Sequence, residues 1–153
     1  MAKGTLGRVG RGGPGPLGPT SPFPFPPVIV LGDFSDVPEA ATSLLVTGPE
    51  GSEIATAGFD RPDAGDDARL FNLAPLIAPE RRYSRVQSGR KELLDQSFVS
   101  EELLPVGADG TRIRPSCDSL VDYAAALPSV GTDPNLRKDA IISDHAPLLA
   151  TFA

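Results

Sequence analysis

The chain has 153 residues, of which 40% are hydrophobic and 22% are charged, and acidic residues outnumber basic ones by 20 to 14. The formal net charge of -6 argues against a surface that mainly neutralises many phosphates, although an acidic protein can still bind a cation at one site. The single cysteine, Cys117, excludes an intramolecular disulfide and a multi-cysteine zinc site, and no apolar run in the sequence is long enough to span a membrane.

The first 27 residues differ in composition from the rest of the chain. They contain seven glycines, seven prolines and three basic residues but no acid, a composition that sustains neither helical nor strand hydrogen bonding. We predict that residues 1–27 are disordered and that one domain spans residues 28–153. The basic residues of the segment are not followed by the apolar core of a signal sequence, so we expect a cytoplasmic protein.

The domain is predicted to begin with a strand, a turn and a helix. Residues 28–31 are a short β-branched apolar run stopped by a glycine, which is typical of a strand buried on both faces. Pro38, with Asp36 before it as a cap, opens a short predicted helix that ends at Gly48. Residues 49–69 are rich in proline, glycine and acids without periodicity, which favours a solvated loop.

A β-hairpin is predicted in the middle of the chain. Residues 83–87 and 92–100 have strand patterns and flank a four-residue connection that contains Gly89. Asp95 interrupts the apolar pattern of the second arm, and a carboxylate in such a strand needs a hydrogen-bond donor. The only histidine of the chain, His145, is the obvious candidate donor.

The last third of the chain is predicted to be mostly loop. Residues 119–127 favour a short helix, and a Gly-Thr-Asp-Pro-Asn sequence at 131–135 indicates a turn. A final strand is predicted at 148–152, with Pro147 at its first position. The sequence contains no internal repeat.

Polar residues that could carry chemistry lie where predicted strands meet turns. Asp33 and Ser35 follow the first strand, Asp95 lies in the hairpin, and Asp144 and His145 precede the last strand. Taken singly, an Asp after a strand is as often a turn or cap residue, and a lone His is more often a surface or core residue than a catalyst. These residues alone support only a general acid–base hypothesis.

Four sequence motifs follow one another in the chain. They are Val-Ile-Val-Leu-Gly-Asp-Phe-Ser-Asp at 28–36, Tyr-Ser-Arg-Val at 83–86, Glu-Leu-Leu-Asp-Gln-Ser-Phe-Val-Ser at 92–100 and Ser-Asp-His-Ala-Pro at 143–147. In this order they resemble the endonuclease/exonuclease/phosphatase superfamily, and most closely its bacterial members. The resemblance implies an α+β chain that forms half of a two-layer α/β sandwich, the DNase-like fold, with a mostly antiparallel or mixed sheet and flanking short helices.

The resemblance also implies a function, because this family hydrolyses phosphoesters with a divalent cation, Mg²⁺ or Mn²⁺. Asp33 would orient or deprotonate the attacking water, and Ser35 stands where the family usually has a phosphate-binding asparagine. His145 would stabilise charge on the phosphoryl oxygens. Asp95 would hold its imidazole by a hydrogen bond, and Asp144 would lie near the metal. The substrate would be a phosphoester, with nucleic acid among the candidates.

The sequence departs from the family in one large respect, because residues 1–27 cannot stand in for the family's N-terminal half-domain. We therefore expect a truncated domain, inactive alone or active only when completed, with exposed sheet edges that favour self-association. A truncated or frame-shifted reading frame would explain this. One alternative is a non-catalytic remnant or interaction module of the same fold. The other is an unrelated small α+β binding domain, in which Asp33, Asp95 and His145 would lie far apart.

Overall fold

The computed structural model describes residues 26–48, 50–122 and 143–153. The described strands are β1 Ile29–Asp33, β2 Phe71–Asn72, β3 Arg85–Gln87, β4 Arg90–Glu92, β5 Asp95–Val99, β6 Ser116–Ser119 and β7 Leu148–Thr151. The described helices are α1 Ala41–Thr47 and α2 Ala57–Asp60, with 3-10 turns at Asp66–Ala68, Ala74–Leu76, Pro79–Arg81 and Glu101–Leu103. This mixture of antiparallel strands and few short helices agrees with the α+β class.

The central strand of the largest described sheet is β5, because it pairs with β1 on one side and β2 on the other, both antiparallel. Four of its five residues are buried, as expected of a strand with neighbours on both edges. The register joins Ile29 to Val99 at one end of β1 and Asp33 to Asp95 at the other. Two further antiparallel pairs, β3–β4 and β6–β7, complete the described sheets.

The first strand is present where it was predicted, but the prediction that it is buried on both faces is wrong. Among the described residues β1 pairs only with β5, and no second layer covers it. Leu31 is consequently 71% exposed, and Val28, Ile29 and Val30 are exposed as well. Burial of an apolar strand depends on what packs over it, and the sequence of the strand does not contain that information.

The predicted hairpin exists, but it is shorter than expected. Its turn consists of Ser88 and Gly89, both with positive φ, as favoured two-residue hairpin turns require. The second arm stops at the end of β4, and the chain then crosses to the other sheet as β5. Thus residues 92–100 do not form one arm, since their last part pairs with β1 and β2 instead.

The predicted helix is also shorter than expected, because α1 begins after Ala40 rather than at Pro38. The carboxylate of Asp36 accepts hydrogen bonds from the Val37 N–H (3.0 Å) and the Thr42 hydroxyl (2.8 Å), so it closes the loop before the helix. The end of the helix is as predicted, with Gly48 at φ 83°.

The acidic segment at 49–69 is not simply a solvated loop, since it contains α2, a 3-10 turn and a buried carboxylate. Asp66 is fully buried, and its Oδ2 lies 2.5 Å from a guanidinium nitrogen of Arg112, which is buried too. The same guanidinium contacts Glu101 at 3.1 Å. An isolated buried carboxylate would be costly, but one paired with a buried arginine can enter the core.

The apolar core lies beside β2 and β5, under α2 and the 3-10 turns. Its largest fully buried apolar side chains are Phe59, Phe71, Phe98, Ile54, Leu73, Ile77 and Leu104. Side chains of β7 pack against its edge, so the predicted last strand is present at Leu148–Thr151. Of the helix predicted at 119–127, Ser119 belongs to β6, Val121 and Asp122 are helical, and residues 123–142, with the predicted turn at 131–135, lie outside the described residues. In the described part of the chain, none of the helices has the length and apolarity needed to cross a bilayer.

The buried ion pair predicts a large difference between two aspartates. Replacing Asp66 by Ala leaves Arg112 charged, buried and without its closest carboxylate, so we expect the free energy of unfolding to fall by about 3 kcal/mol. Asp60→Ala removes the half-exposed pair with Arg114 and should cost less than about 1 kcal/mol. Urea unfolding followed by circular dichroism measures both, and equal losses would contradict the assignment of Asp66 to the core.

Candidate functional site

Two of the predicted site residues meet across adjacent strands. Asp33 is the last residue of β1, Asp95 is the first residue of β5, and the antiparallel register sets them opposite each other. Directly opposed residues project from the same face of a sheet, with Cβ atoms about 4.5–5.5 Å apart. The two carboxylates therefore belong to one site, although Asp33 and Asp95 are far apart in the chain.

The histidine joins the same site through the contact that the sequence predicted. Nδ1 of His145 lies 2.6 Å from Oδ2 of Asp95, and because a carboxylate only accepts, the ring nitrogen is the donor. The side chains are 13% and 22% exposed, respectively. The contact orients the ring so that Nε2, the other nitrogen, faces away from Asp95.

A buried serine fixes the backbone on both sides of this contact. The hydroxyl oxygen of Ser84 accepts the backbone N–H groups of Leu94 and Asp95, each at 3.1 Å. Its carbonyl accepts the N–H of Ala146 at 2.6 Å, and its own N–H donates to the carbonyl of Glu92. Ser84 thus holds the residue that carries the carboxylate and the residue that follows the histidine. Sequence reasoning did not single it out, although it stands within the Tyr-Ser-Arg-Val motif.

An arginine in turn holds the segment that leads to Ser84. The Arg81 guanidinium donates to the carboxylates of Asp118 and Asp122 and to the carbonyl of Ser119, and the Ser119 hydroxyl donates to the carbonyl of Tyr83. The hydrogen bond to Asp118 and, to a smaller extent, the hydrogen bond to Asp122 raise the pKa of Arg81 above its usual range. The guanidinium therefore stays charged at any pH at which the protein is folded.

Asp33 closes a tight turn with the next predicted site residue. Its Oδ1 accepts the N–H of Ser35 at 2.6 Å and the Ser35 hydroxyl at 3.3 Å. Ser35 has φ 53°, a left-handed conformation that asparagine adopts more readily than most residues. The Ser35 hydroxyl is directed to Asp33 within this turn.

Asp144 contacts the histidine on one side and an arginine on the other. Its Oδ1 lies 3.8 Å from Nε2 of His145, and its Oδ2 lies 3.2 Å from Nε of Arg85. The second contact is an ion pair without hydrogen-bond geometry, since Nε of Arg85 is buried and makes no hydrogen bond among the described residues. Arg85 is a site residue that sequence reasoning missed, and its only signal was its place in the Tyr-Ser-Arg-Val motif.

The donor atoms of the site suit a hard cation, but they do not enclose one. Among the described residues no three side chains of His, Cys, Asp or Glu approach closely enough to hold a metal ion. Mg²⁺ keeps several waters and is usually held by one or two carboxylates together with substrate phosphates. The oxygens of Asp33 and Asp144 are therefore the right chemical type for part of a magnesium shell.

No family model, curated protein or solved structure matches the chain. The functional argument consequently depends on the geometry of the site. That geometry brings Asp33, Asp95 and His145 together, whereas the alternative of an unrelated domain expected them far apart. The chemical roles assigned to these residues remain predictions.

Ser84 offers a test of how the site is held. In Ser84→Ala the N–H groups of Leu94 and Asp95 lose their acceptor, so we expect a loss of about 1–3 kcal/mol in the free energy of unfolding. The imidazole resonances of His145 should shift as its contact loosens. The control is Ser116→Ala, at an exposed position of β6, where we expect a change within about 0.5 kcal/mol. Unfolding curves and NMR spectra that do not differ between the variants would contradict this role.

Proposed function

We propose that the domain at 28–153 carries a metal-dependent phosphoester hydrolase site of the endonuclease/exonuclease/phosphatase type. The observation that supports this most directly is the 2.6 Å contact between Nδ1 of His145 and Oδ2 of Asp95. This contact brings together the motifs at 92–100 and 143–147, and it lies next to Asp33, the last residue of β1. An acid–histidine pair with a second carboxylate beside it is an arrangement suited to general acid–base and electrostatic catalysis.

In the proposed reaction His145 acts on the phosphoryl group. Asp95 accepts a hydrogen bond from Nδ1 and fixes the orientation of the ring, so that Nε2 is the nitrogen available to the substrate. A protonated Nε2 donates a hydrogen bond to a phosphoryl oxygen, on which negative charge develops in the transition state. Asp95 is then a positioning residue, since it acts through the imidazole.

In the same reaction Asp33 is proposed to act on the attacking water. The hydrogen bonds from Ser35 occupy one carboxylate oxygen, Oδ1, and no hydrogen bond to the other is recorded among the described residues. Oδ2 can accept a proton from water or orient it toward phosphorus. Ser35 supplies one hydroxyl where the family has an amide, so its contact with the phosphate is weaker.

The proposed site would also use a divalent cation, Mg²⁺ or Mn²⁺. When bound, it would polarise the phosphoryl group and neutralise part of its charge. Asp144 is the residue proposed to contribute an oxygen to it. Its carboxylate is shared with Arg85 at 3.2 Å, so the arginine and the cation compete for this side chain.

The proposed fold is half of a DNase-like sandwich. The exposed faces of β1 and the exposed Leu149 of β7 support it, since these are apolar surfaces that a second layer of strands would cover. On this proposal the described sheets are the part of the sandwich that carries the histidine and three carboxylates. The substrate class is a phosphoester, with nucleic acid included.

Hydrolysis of bis-p-nitrophenyl phosphate tests the proposal. Because the domain is expected to be truncated, the assay is made at protein concentrations at which a second copy can complete the site. There we expect turnover with Mg²⁺ or Mn²⁺ that is lost on chelation, and a fall of roughly 10²–10⁴-fold in Asp33→Ala and His145→Ala, which remove an acid–base group. Asp67→Ala is a control, because this exposed aspartate is not part of the site. A folded and self-associated protein without metal-dependent turnover, or one whose turnover survives His145→Ala, would contradict the catalytic proposal.

The second candidate function is an interaction module, and the exposed first strand supports it. Among the described residues β1 has a free edge and apolar side chains on both faces. Such a strand can pair antiparallel with β1 of a second copy, which gives a two-fold symmetric contact. Self-association through β1 is thus the specific form of this candidate.

Sedimentation velocity tests whether the chain associates through β1. We expect the wild-type chain to dimerise with increasing concentration and Leu31→Lys to shift the equilibrium to the monomer, because a lysine blocks edge pairing. Leu45→Lys is the matched control, since Leu45 is 85% exposed on α1, outside the strand. A monomeric wild-type protein, or equal effects of both lysines, would exclude pairing through β1.

A further inference from the structure

A groove opens directly beside the proposed site. It has a volume of about 450 Å³, and the turn at Asp33 and Ser35 lines one side while the β3–β4 hairpin lines the other. Sites for small molecules occupy about 300–1,000 Å³. The groove can therefore hold more of a substrate than the one phosphoryl group that reacts.

The hairpin presents four polar side chains to this groove. Arg85 is paired with Glu92, and Gln87 with Arg90, across the two strands. Opposed residues project from one face, and so do residues two apart along a strand. All four accordingly lie on the same face of the hairpin, which is the face that lines the groove.

Arg85 is incompletely satisfied in this position. Its side chain is only 28% exposed, and it has one ion pair, with Asp144. Its Nε is buried without a hydrogen-bond partner among the described residues. That nitrogen faces Asp144 and is closed off from the groove, so a ligand there would bind to the terminal nitrogens of the guanidinium, which make no side-chain hydrogen bond among the described residues.

Arg90 adds a second guanidinium to the same side. Its side chain is 81% exposed, and its contact with Glu92 at 3.3 Å is of the exposed kind that contributes little. The acids Asp33 and Asp36 lie on the turn side of the groove. The hairpin side carries the two arginines and one acid, Glu92, so an anion would be repelled from the turn side and attracted to the hairpin side.

We propose that Arg85 and Arg90 bind a second phosphate group of the substrate, one that is not cleaved. This inference rests on the proposed function, because it assumes that the cleaved phosphate lies between Asp33 and His145. A guanidinium donates two parallel hydrogen bonds to a phosphate and is well suited to this task. The substrate class is therefore a molecule with two neighbouring phosphates, such as a diphosphate or a polynucleotide.

Binding measurements without turnover test the second phosphate site. Orthophosphate, inorganic pyrophosphate and the dinucleotide pdTdT are titrated into the full chain with EDTA present, and ³¹P NMR follows binding. We expect pyrophosphate to bind more tightly than orthophosphate. Arg85→Gln and Arg90→Gln should each weaken pyrophosphate binding roughly tenfold, about 1.4 kcal/mol. Arg114→Gln is the matched control, since this arginine pairs with Asp60 outside the groove, and it should leave the affinity unchanged.

Equal affinities for orthophosphate and pyrophosphate, or full pyrophosphate affinity in Arg85→Gln and Arg90→Gln, would overturn the proposal. If Arg85→Gln does not fold, Arg90→Gln alone decides the question, because the exposed side chain of Arg90 is dispensable for folding.

The order of affinities identifies the ligand. Tighter binding of pdTdT than of pyrophosphate assigns the site to a polynucleotide, and the reverse order assigns it to a diphosphate. Binding that persists in a chain without phosphodiesterase activity rejects the proposed function but keeps the second phosphate site. Turnover without arginine-dependent binding rejects this site alone.

Discussion

The arrangement of the candidate site depends on one buried hydroxyl group. Ser84 accepts two backbone N–H groups at the point where the chain leaves the β3–β4 hairpin and enters the central sheet. Its carbonyl ties down the residue after His145. Three segments that are distant in sequence, the hairpin, β5 and the loop before β7, thus share one anchor. The backbones on both sides of the contact between Asp95 and His145 are therefore held by the same residue.

Parts of the site and the fold could be predicted from the sequence, because short stretches of residues determine them. Asp95 stands in an apolar strand where a carboxylate needs a donor, and the single histidine of the chain was the candidate donor, a pairing that the family resemblance also implied. The first and last strands and the hairpin turn were likewise predicted from short patterns of β-branched residues, glycine and proline. For the strands and the turn, the cause lies within a few residues of its effect.

What could not be predicted depends on residues far apart in the chain. Asp66 belongs to a window rich in acids, which is typical of a solvated loop, and only its pairing with Arg112, 46 positions later, explains its burial. The exposure of β1 has the same origin, because burial is decided by a neighbouring layer. Arg85 was overlooked for a different reason, since an arginine in a short strand gives no sign of which carboxylate it will face.

The strand order has a consequence for how long the site stays assembled. Asp95 begins β5, where its N–H donates to the hydroxyl of Ser84 and the strand pairs with β1, whereas Asp33 ends β1, which pairs only with β5 among the described residues. Edge strands open by local fluctuation more often than central ones, and their amide hydrogens exchange with solvent sooner. We therefore expect Asp33 to leave the site more often than Asp95, which Ser84 also holds. The site would then be lost by local opening of β1 under conditions milder than those that unfold the whole protein.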